Sequence, residues 1–285
     1  MSRWLRCGLL AILMVFLLSG SVVAHEIILN VSQDAAVGEE ATIEFTLGHF
    51  PDDYDYEHGF FQRLADGQLF VIDPDGDEAE LQFNRETDRY TATFTPLQEG
   101  LHWVVANIPR GVLDRTPDDG LQLRFYDAKT PLFVGEQYEG VLSQTMLPVE
   151  MVGARLPLLQ VNEEFAAQLL YDGEPVSGQT VLLVSPTEVA MEVAAGEDGS
   201  WSFTPNESGR WMIKTTLMDT TRQGEYEGEE YDRARYNSAL YLDVLEAGAM
   251  PVDNAPDTIN FYIIIALIVV LGGAAWLLFL SRSKA

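Results

Sequence analysis

One cysteine, three lysines and four histidines are all that this chain of 285 residues offers of those residue types. The cysteine, Cys7, stands ahead of an N-terminal apolar segment, where a lipid-modified cysteine would have to follow it. Removal of that segment leaves no cysteine, so neither a disulfide nor thiol chemistry is open to the remainder. The sequence has no Gly-x-Ser-x-Gly, no His/Asp/Ser grouping in a recognisable context and no Gly-rich phosphate loop. Carboxylates are so numerous that naming any two as an acid–base pair is arbitrary. These absences argue against an enzyme. His-x-His, His-x-x-x-His and Cys-x-x-Cys spacings are missing too, so no metal motif is written in the local sequence.

Positive charge is also scarce. Lys and Arg number 17 against 44 Asp and Glu, a formal net charge of −27. All 44 acids and 13 of the bases lie between the two hydrophobic segments, which gives that stretch −31. Such a surface repels phosphates, which makes nucleic acid and anionic lipid poor partners. Cations are its natural counter-ions. Solvation of an exported protein in salt explains the same acidity, and charge alone does not separate the two readings.

What is present at the ends suggests an address. Arg3 and Arg6 precede the apolar run Leu9 to Leu18, and Val22-Val23-Ala24 follows a Ser-Gly-Ser stretch. This is the pattern of a secretory signal, with cleavage expected after Ala24. Phe261 to Leu280 carries no charge, is long enough to cross a bilayer, and has Tyr262 and Trp276 near its ends. Arg282 and Lys284 follow it, and Asp253 and Asp257 precede it, which places the short tail in the cytoplasm. The expected organisation is a signal peptide over 1–24, a stem over 246–258, a membrane helix over 259–281 and a tail over 282–285. Roughly 230 residues between them suit two domains of ~100 residues each.

The chain repeats itself across that interval. Phe94-Thr95-Pro96 precedes Gly100 and Trp103, and Phe203-Thr204-Pro205 precedes Gly209 and Trp211. Upstream, Val37-Gly38-Glu39-Glu40-Ala41 matches Val161-Asn162-Glu163-Glu164-Phe165. Two copies of one β-sandwich account for this. Ile43, Phe45 and Leu47 alternate with polar residues, as do Tyr90, Ala92 and Phe94, and Leu121, Leu123 and Phe125. Val181 to Val184, Ser200 to Phe203, Trp211 to Leu217 and Leu240 to Val244 are β-rich runs separated by Asp-Gly and Ser-Gly turns. Asp114 to Gly120 and Gly224 to Arg235 read as polar loops. The expected fold is all-β: two tandem Ig-like or transthyretin-like β-sandwich domains, 25–145 and 146–245, followed by one C-terminal transmembrane helix.

Histidine carries what chemistry there is. After cleavage at Ala24, His25 becomes the first residue, and its amine and ring nitrogen can chelate one ion such as Cu²⁺ or Ni²⁺. His49 and His58 flank the acidic loop Pro51 to Glu57 and are candidates for a further nitrogen, with carboxylates alongside. His49 serves equally well as a turn residue after Gly48. His102, next to Trp103, faces solvent or packs. The loop Glu225 to Asp232 interleaves acid and tyrosine without a defined cage.

Several of these segments together resemble a known family of exported proteins. They are Ala24-His25-Glu26, Leu47-Gly48-His49-Phe50-Pro51, Leu147 to Val152, Tyr171-Asp172-Gly173-Glu174-Pro175-Val176 through Val181, and Asp198-Gly199-Ser200-Trp201-Ser202-Phe203 through Trp211. The chain is similar to proteins with a nickel-uptake, substrate-specific domain, long catalogued as a domain of unknown function. Its second half also resembles carboxypeptidase-regulatory and other transthyretin-like sandwiches. The resemblance implies a periplasmic or surface-exposed accessory to nickel or cobalt import, often encoded beside membrane-embedded metal transporter components, which are its expected partners. His25 and His49 are the positions that carry over. The resulting expectation is a single-pass inner-membrane protein, held in the bilayer by one span, with most of the chain periplasmic. Its metal residues are His25, His49 and His58 and its cargo is Ni²⁺, Co²⁺ or Cu²⁺. The alternative is an Ig-like envelope interaction or structural module with no metal role.

Overall fold

The two copies of the sequence repeat share local features. In a computed structural model, Gly100 and Gly209 each open a long strand at φ +118°. That left-handed backbone is accessible to glycine at little cost. Gly38 N–H donates to Pro96 O (2.9 Å), and its counterpart Asn162 N–H donates to Pro205 O (2.8 Å). Trp103 and Trp211, which follow the two glycines, are both buried in the same core, and each indole N–H finds a backbone carbonyl, Val141 O and Glu207 O. The structure describes residues 25–249 except 33, 34, 137, 138 and 144. The expected signal peptide, membrane helix and tail, and the stem beyond Ala249, lie outside the described residues. Among the described residues no helix is long and apolar enough to cross a membrane.

The fold of the described residues is all-β, as expected, with one short 3₁₀ segment among them at Phe61–Asp66. The strands Glu26–Val31, Ala41–His49, Tyr90–Phe94 and Asn84–Arg85 form one sheet, with Asp53–Tyr54 paired to Ala41–His49. Their counterparts Val149–Pro157, Phe165–Tyr171 and Ser200–Phe203 join Glu139–Leu142 and Glu174–Pro175 in another five-stranded sheet. Between the two lies a nine-stranded sheet to which both halves of the chain contribute. Its central members are Gly100–Arg115, Gly120–Val134, Arg233–Leu245 and Gly209–Asp219, in that order.

The halves join through Gly120–Val134 and Arg233–Leu245, which run parallel from Gln122↔Arg233 to Lys129↔Leu240. The expectation of two sandwiches in tandem therefore needs a qualification. The expected boundary at 145/146 falls between adjacent strands of one sheet, and the described residues up to Gly248 form one compact unit. Each copy supplies an outer sheet, but the inner sheets are fused.

Both faces of the fused sheet are buried, and the sequence there reads accordingly. Val104 and Ala106 pack with Ile27, Ile43, Phe45 and Leu47 of the N-terminal sheet, whereas Trp103 and Val105 pack with Val149, Met151 and Phe165 of the other. Ala239 and Tyr241 likewise face one core, Leu240 and Leu242 the other. A period of two with both faces apolar produces a continuous hydrophobic run, the signature of an inner strand. Equivalent strands that pair in parallel, with their outer sheets on opposite faces, are related by a half-turn about an axis along the strands.

Two expectations are corrected in detail. Gly224 to Arg235 is not a loop: Gly224–Tyr226 and Glu229–Tyr231 form a hairpin turning at Glu227-Gly228, both at positive φ, and Arg233 onward belongs to the long strand. In the run Leu121, Leu123, Phe125 only Leu123 is fully buried.

Candidate functional site

Strand register places the first described residue opposite a second histidine. Glu26 pairs with Gly48 in the antiparallel ladder, so His25 is carried across from His49, and their rings lie 4.4 Å apart between centroids. The chain then doubles back. Asp53–Tyr54 pairs with Gly48–His49, and Asp55 N–H donates to Leu47 O (2.8 Å). A Cβ at Gly48 would sit 2.3 Å from Asp53 O, so only glycine permits this close return. The return positions His58, whose ring is 4.6 Å from that of His25. His58 is fixed from the other side by the 3₁₀ segment, where Phe61 N–H donates to its carbonyl (2.9 Å) and Phe60 N–H to its Nδ1 (3.1 Å).

The three sequence-selected histidines thus meet, with carboxylates between them. His25 Nε2 lies 2.7 Å from Asp55 Oδ2, and His49 Nδ1 lies 3.2 Å from Asp53 Oδ2. The hydrogen bond from His25 holds the Asp55 carboxyl below its ordinary value. Desolvation, then the neighbouring charge of His25, lower the pKa of His58. A neutral His58 agrees with its Nδ1 accepting a backbone N–H. As placed, no three His, Cys, Asp or Glu side chains among the described residues surround a common ion position. The rings lie against one another and each has one nitrogen committed to a protein partner.

His102 is elsewhere. It is 1% exposed, packs its ring on Phe94, and is engaged through Nδ1 with Gly100 O (3.3 Å), while its Nε2 has no partner. Burial lowers its pKa. It is a core residue.

Charged groups that the sequence reading did not single out line the sheets. Glu26, adjacent to His25, is buried and paired with Lys214; Lys129 pairs with Glu150 in the interior. Asp127, with Asn107 Nδ2 donating to its Oδ1 (2.9 Å), is pushed by burial up to about 8. No local pattern marks these residues, because their partners lie 188, 21 and 20 positions away.

Comparison with known proteins supplies no activity. Solved structures similar to this chain include the fibronectin(III)-like modules of CbhA from Clostridium thermocellum, at 12% identity over 78% of this chain and 97% of that one, with a TM-score of 0.22. A DUF4785 family protein of Legionella pneumophila matches at 9% identity, over 66% of this chain and 51% of that one, with a TM-score of 0.25. A marsupial T cell receptor matches at 10%, over 80% and 76%, with a TM-score of 0.23. At these scores the likeness defines no shared architecture. No curated protein matches. The model of one family, described as a domain of unknown function (DUF4198), matches residues 22–219, and the chain belongs to that family.

Proposed function

We propose that this is a membrane-anchored, extracytoplasmic binding protein that presents a divalent transition metal ion, nickel or cobalt, to membrane-embedded uptake components. What supports it is the meeting of His25 with both His49 and His58, three of the four histidines in the chain drawn together from separate segments. Imidazole nitrogens are suited to Ni²⁺, Co²⁺ and Cu²⁺, and His58 is held neutral, so its Nδ1 lone pair, which accepts the Phe60 N–H, passes to an ion once that bond is given up. The side chains of His25 and His49 are 27% and 28% exposed, which leaves room for an ion to reach the ring nitrogen of each that does not face Asp55 or Asp53. The two carboxylates then serve as acceptors for the ring N–H groups, the arrangement that orients ligating histidines. Cleavage after Ala24 adds the amine of His25 to the donor set. Phe261 to Leu280 tethers the domain to the bilayer in this reading, with the bulk periplasmic.

The test is titration of the full chain, purified from membranes in detergent with its N-terminus established by mass spectrometry, with Ni²⁺, Co²⁺ and Cu²⁺ separately. Saturable binding, weakened at least tenfold in both His25→Ala and His49→Ala, is expected. Insertion of one residue ahead of His25 in the cleaved form displaces the terminal amine while keeping every side chain, so loss of affinity there assigns the amine as a ligand. Absence of saturable binding, or equal affinity in the His25→Ala/His49→Ala double variant, overturns the metal role and leaves an envelope interaction module.

A further inference from the structure

Acidic as the chain is, one stripe of arginines makes no ion-pair contact with a carboxylate among the described residues. On the parallel strands that join the two halves, Gln122 is the register partner of Arg233, and Arg124 of Arg235. Residues two apart share a face, so all four lie on the side of Tyr126 and Ala128, toward the N-terminal core. Arg110 reaches the same face: its Nη1 donates to Tyr126 Oη (3.1 Å), and its guanidinium lies over the Phe60 ring at 5.2 Å. Arg124 is 7% exposed and gives Nε and Nη2 to a single neutral acceptor, Gln122 Oε1 (2.9 and 2.7 Å). Arg233 Nε and Arg235 Nε are enclosed without any hydrogen-bond partner.

The nearby carboxylates have other contact partners, although the charge of Arg235 also acts on Glu26. Glu26 is paired with Lys214, Glu227 with Arg63, and Asp232 accepts the N–H of Leu121. Arg63, Arg89, Arg210, Lys129 and Lys214 all have carboxylate partners; among the described residues Arg110, Arg124, Arg233 and Arg235 form no such pair, nor do Arg85, Arg115 and Arg222, but only the first four lie together on one buried face. Burial depresses Arg124, and the charges of Arg235, Arg115 and Arg110 depress it further. A buried guanidinium among like charges is costly until an anion joins it.

We propose that Arg110, Arg124, Arg233 and Arg235 form a binding site for a small multivalent oxyanion, a phosphate or a polycarboxylate. Guanidinium forks match the paired oxygens of such groups, and several forks from three strands suit more than one negative charge. The surrounding acidic surface repels large polyanions and so restricts the ligand to small ones. This goes beyond the metal reading and does not depend on it.

The full chain in detergent, freed of metal with chelator and then dialysed into low-salt buffer, is titrated calorimetrically with sodium phosphate and, separately, with citrate. Sodium chloride of matched ionic strength serves as reference. Saturable binding of either anion is expected, at least tenfold weaker in Arg235→Gln and partly restored in Arg235→Lys. Arg85→Gln, which alters a guanidinium stacked on Phe61 outside the stripe, keeps full affinity. His49→Ala also keeps it, which separates this site from the metal reading. Arg124→Gln is the more invasive variant; the partly exposed Arg233 and Arg235 carry the test if it does not fold. Phosphate or citrate should raise the melting temperature of the unsubstituted protein but not of Arg235→Gln; a purely structural arginine would shift both states alike. Heats no larger than those of chloride for both anions, or unchanged affinity in Arg235→Gln, overturn the proposal.

Discussion

The His58 ring rests 4.6 Å from that of His25 and is held there by the N–H of Phe60, which donates to its Nδ1. Burial and the neighbouring His25 lower the pKa of His58 below its ordinary 6.5, and burial does the same for His102. The unfolded chain therefore takes up these protons first as pH falls. The stability they contribute is complete above pH 6.5 and is lost on acidification below it. Urea midpoints at pH 7.5 and 5.5 should differ, and His58→Gln should shrink the difference. An undiminished difference in both His58→Gln and His102→Gln would falsify this assignment.

Metal affinity should fall over the same range, because protons compete for the nitrogen lone pairs. Copper should bind more tightly than nickel in vitro, from the intrinsic affinity order alone. A nickel affinity independent of pH between 5.5 and 7.5 would exclude imidazole ligation.

Gly48→Ala should damage the histidine cluster without touching a histidine. Its Cβ would collide with Asp53 O, which forces the 53–54 strand away from Gly48–His49. Overpacking of this kind costs about 1–3 kcal/mol. Chemical denaturation should report that loss, and transition-metal affinity should fall with it. Unchanged stability would show that the 53–58 segment is free to shift.

Lys129→Met should destabilise the fold by about 3–5 kcal/mol, since it strands Glu150 in the interior without its cation. Glu150 also accepts from Thr145 N–H and hydroxyl, and Lys129 Nζ donates to Ser143 O, so the pair ties the connection between the halves to the central sheet. Lys129→Met/Glu150→Gln should recover part of the loss. A double-mutant cycle with no coupling would remove the pair from the energetics.

Asp127 works in the opposite direction to the histidines. Burial raises its carboxyl to about 8, so the folded state keeps a proton that the unfolded chain releases above 3.8. Stability from this group is full below 3.8 and declines as pH rises toward 8, by up to about 1.4 kcal/mol per pH unit. Asp127→Asn should gain on the unsubstituted protein as pH is raised from 5 to 8. Parallel stability curves for the two would refute the shift.

Local patterns decided much of this protein. The alternation at Ile43, Phe45 and Leu47 and the turns at Asp-Gly pairs specify strands, since side-chain direction in a strand depends only on parity. The repeat of Phe-Thr-Pro, Gly and Trp announced two equivalent copies, and Gly100 and Gly209 share φ +118° because the same turn is built twice. His25, His49 and His58 stand out by type and by flanking acids, and the two terminal hydrophobic segments are legible from length and charge alone. Tertiary structure decided which strands pair, a choice between distant segments that no local period encodes. The parallel register of Gly120–Val134 with Arg233–Leu245 fuses the two halves into one sheet and sets Arg235 beside Arg124, residues 111 positions apart. The register Glu26↔Gly48 and the close return over Gly48 bring three histidines into contact. Each of these neighbourhoods follows from hydrogen-bond pairing across the fold, and residue type alone does not foretell it.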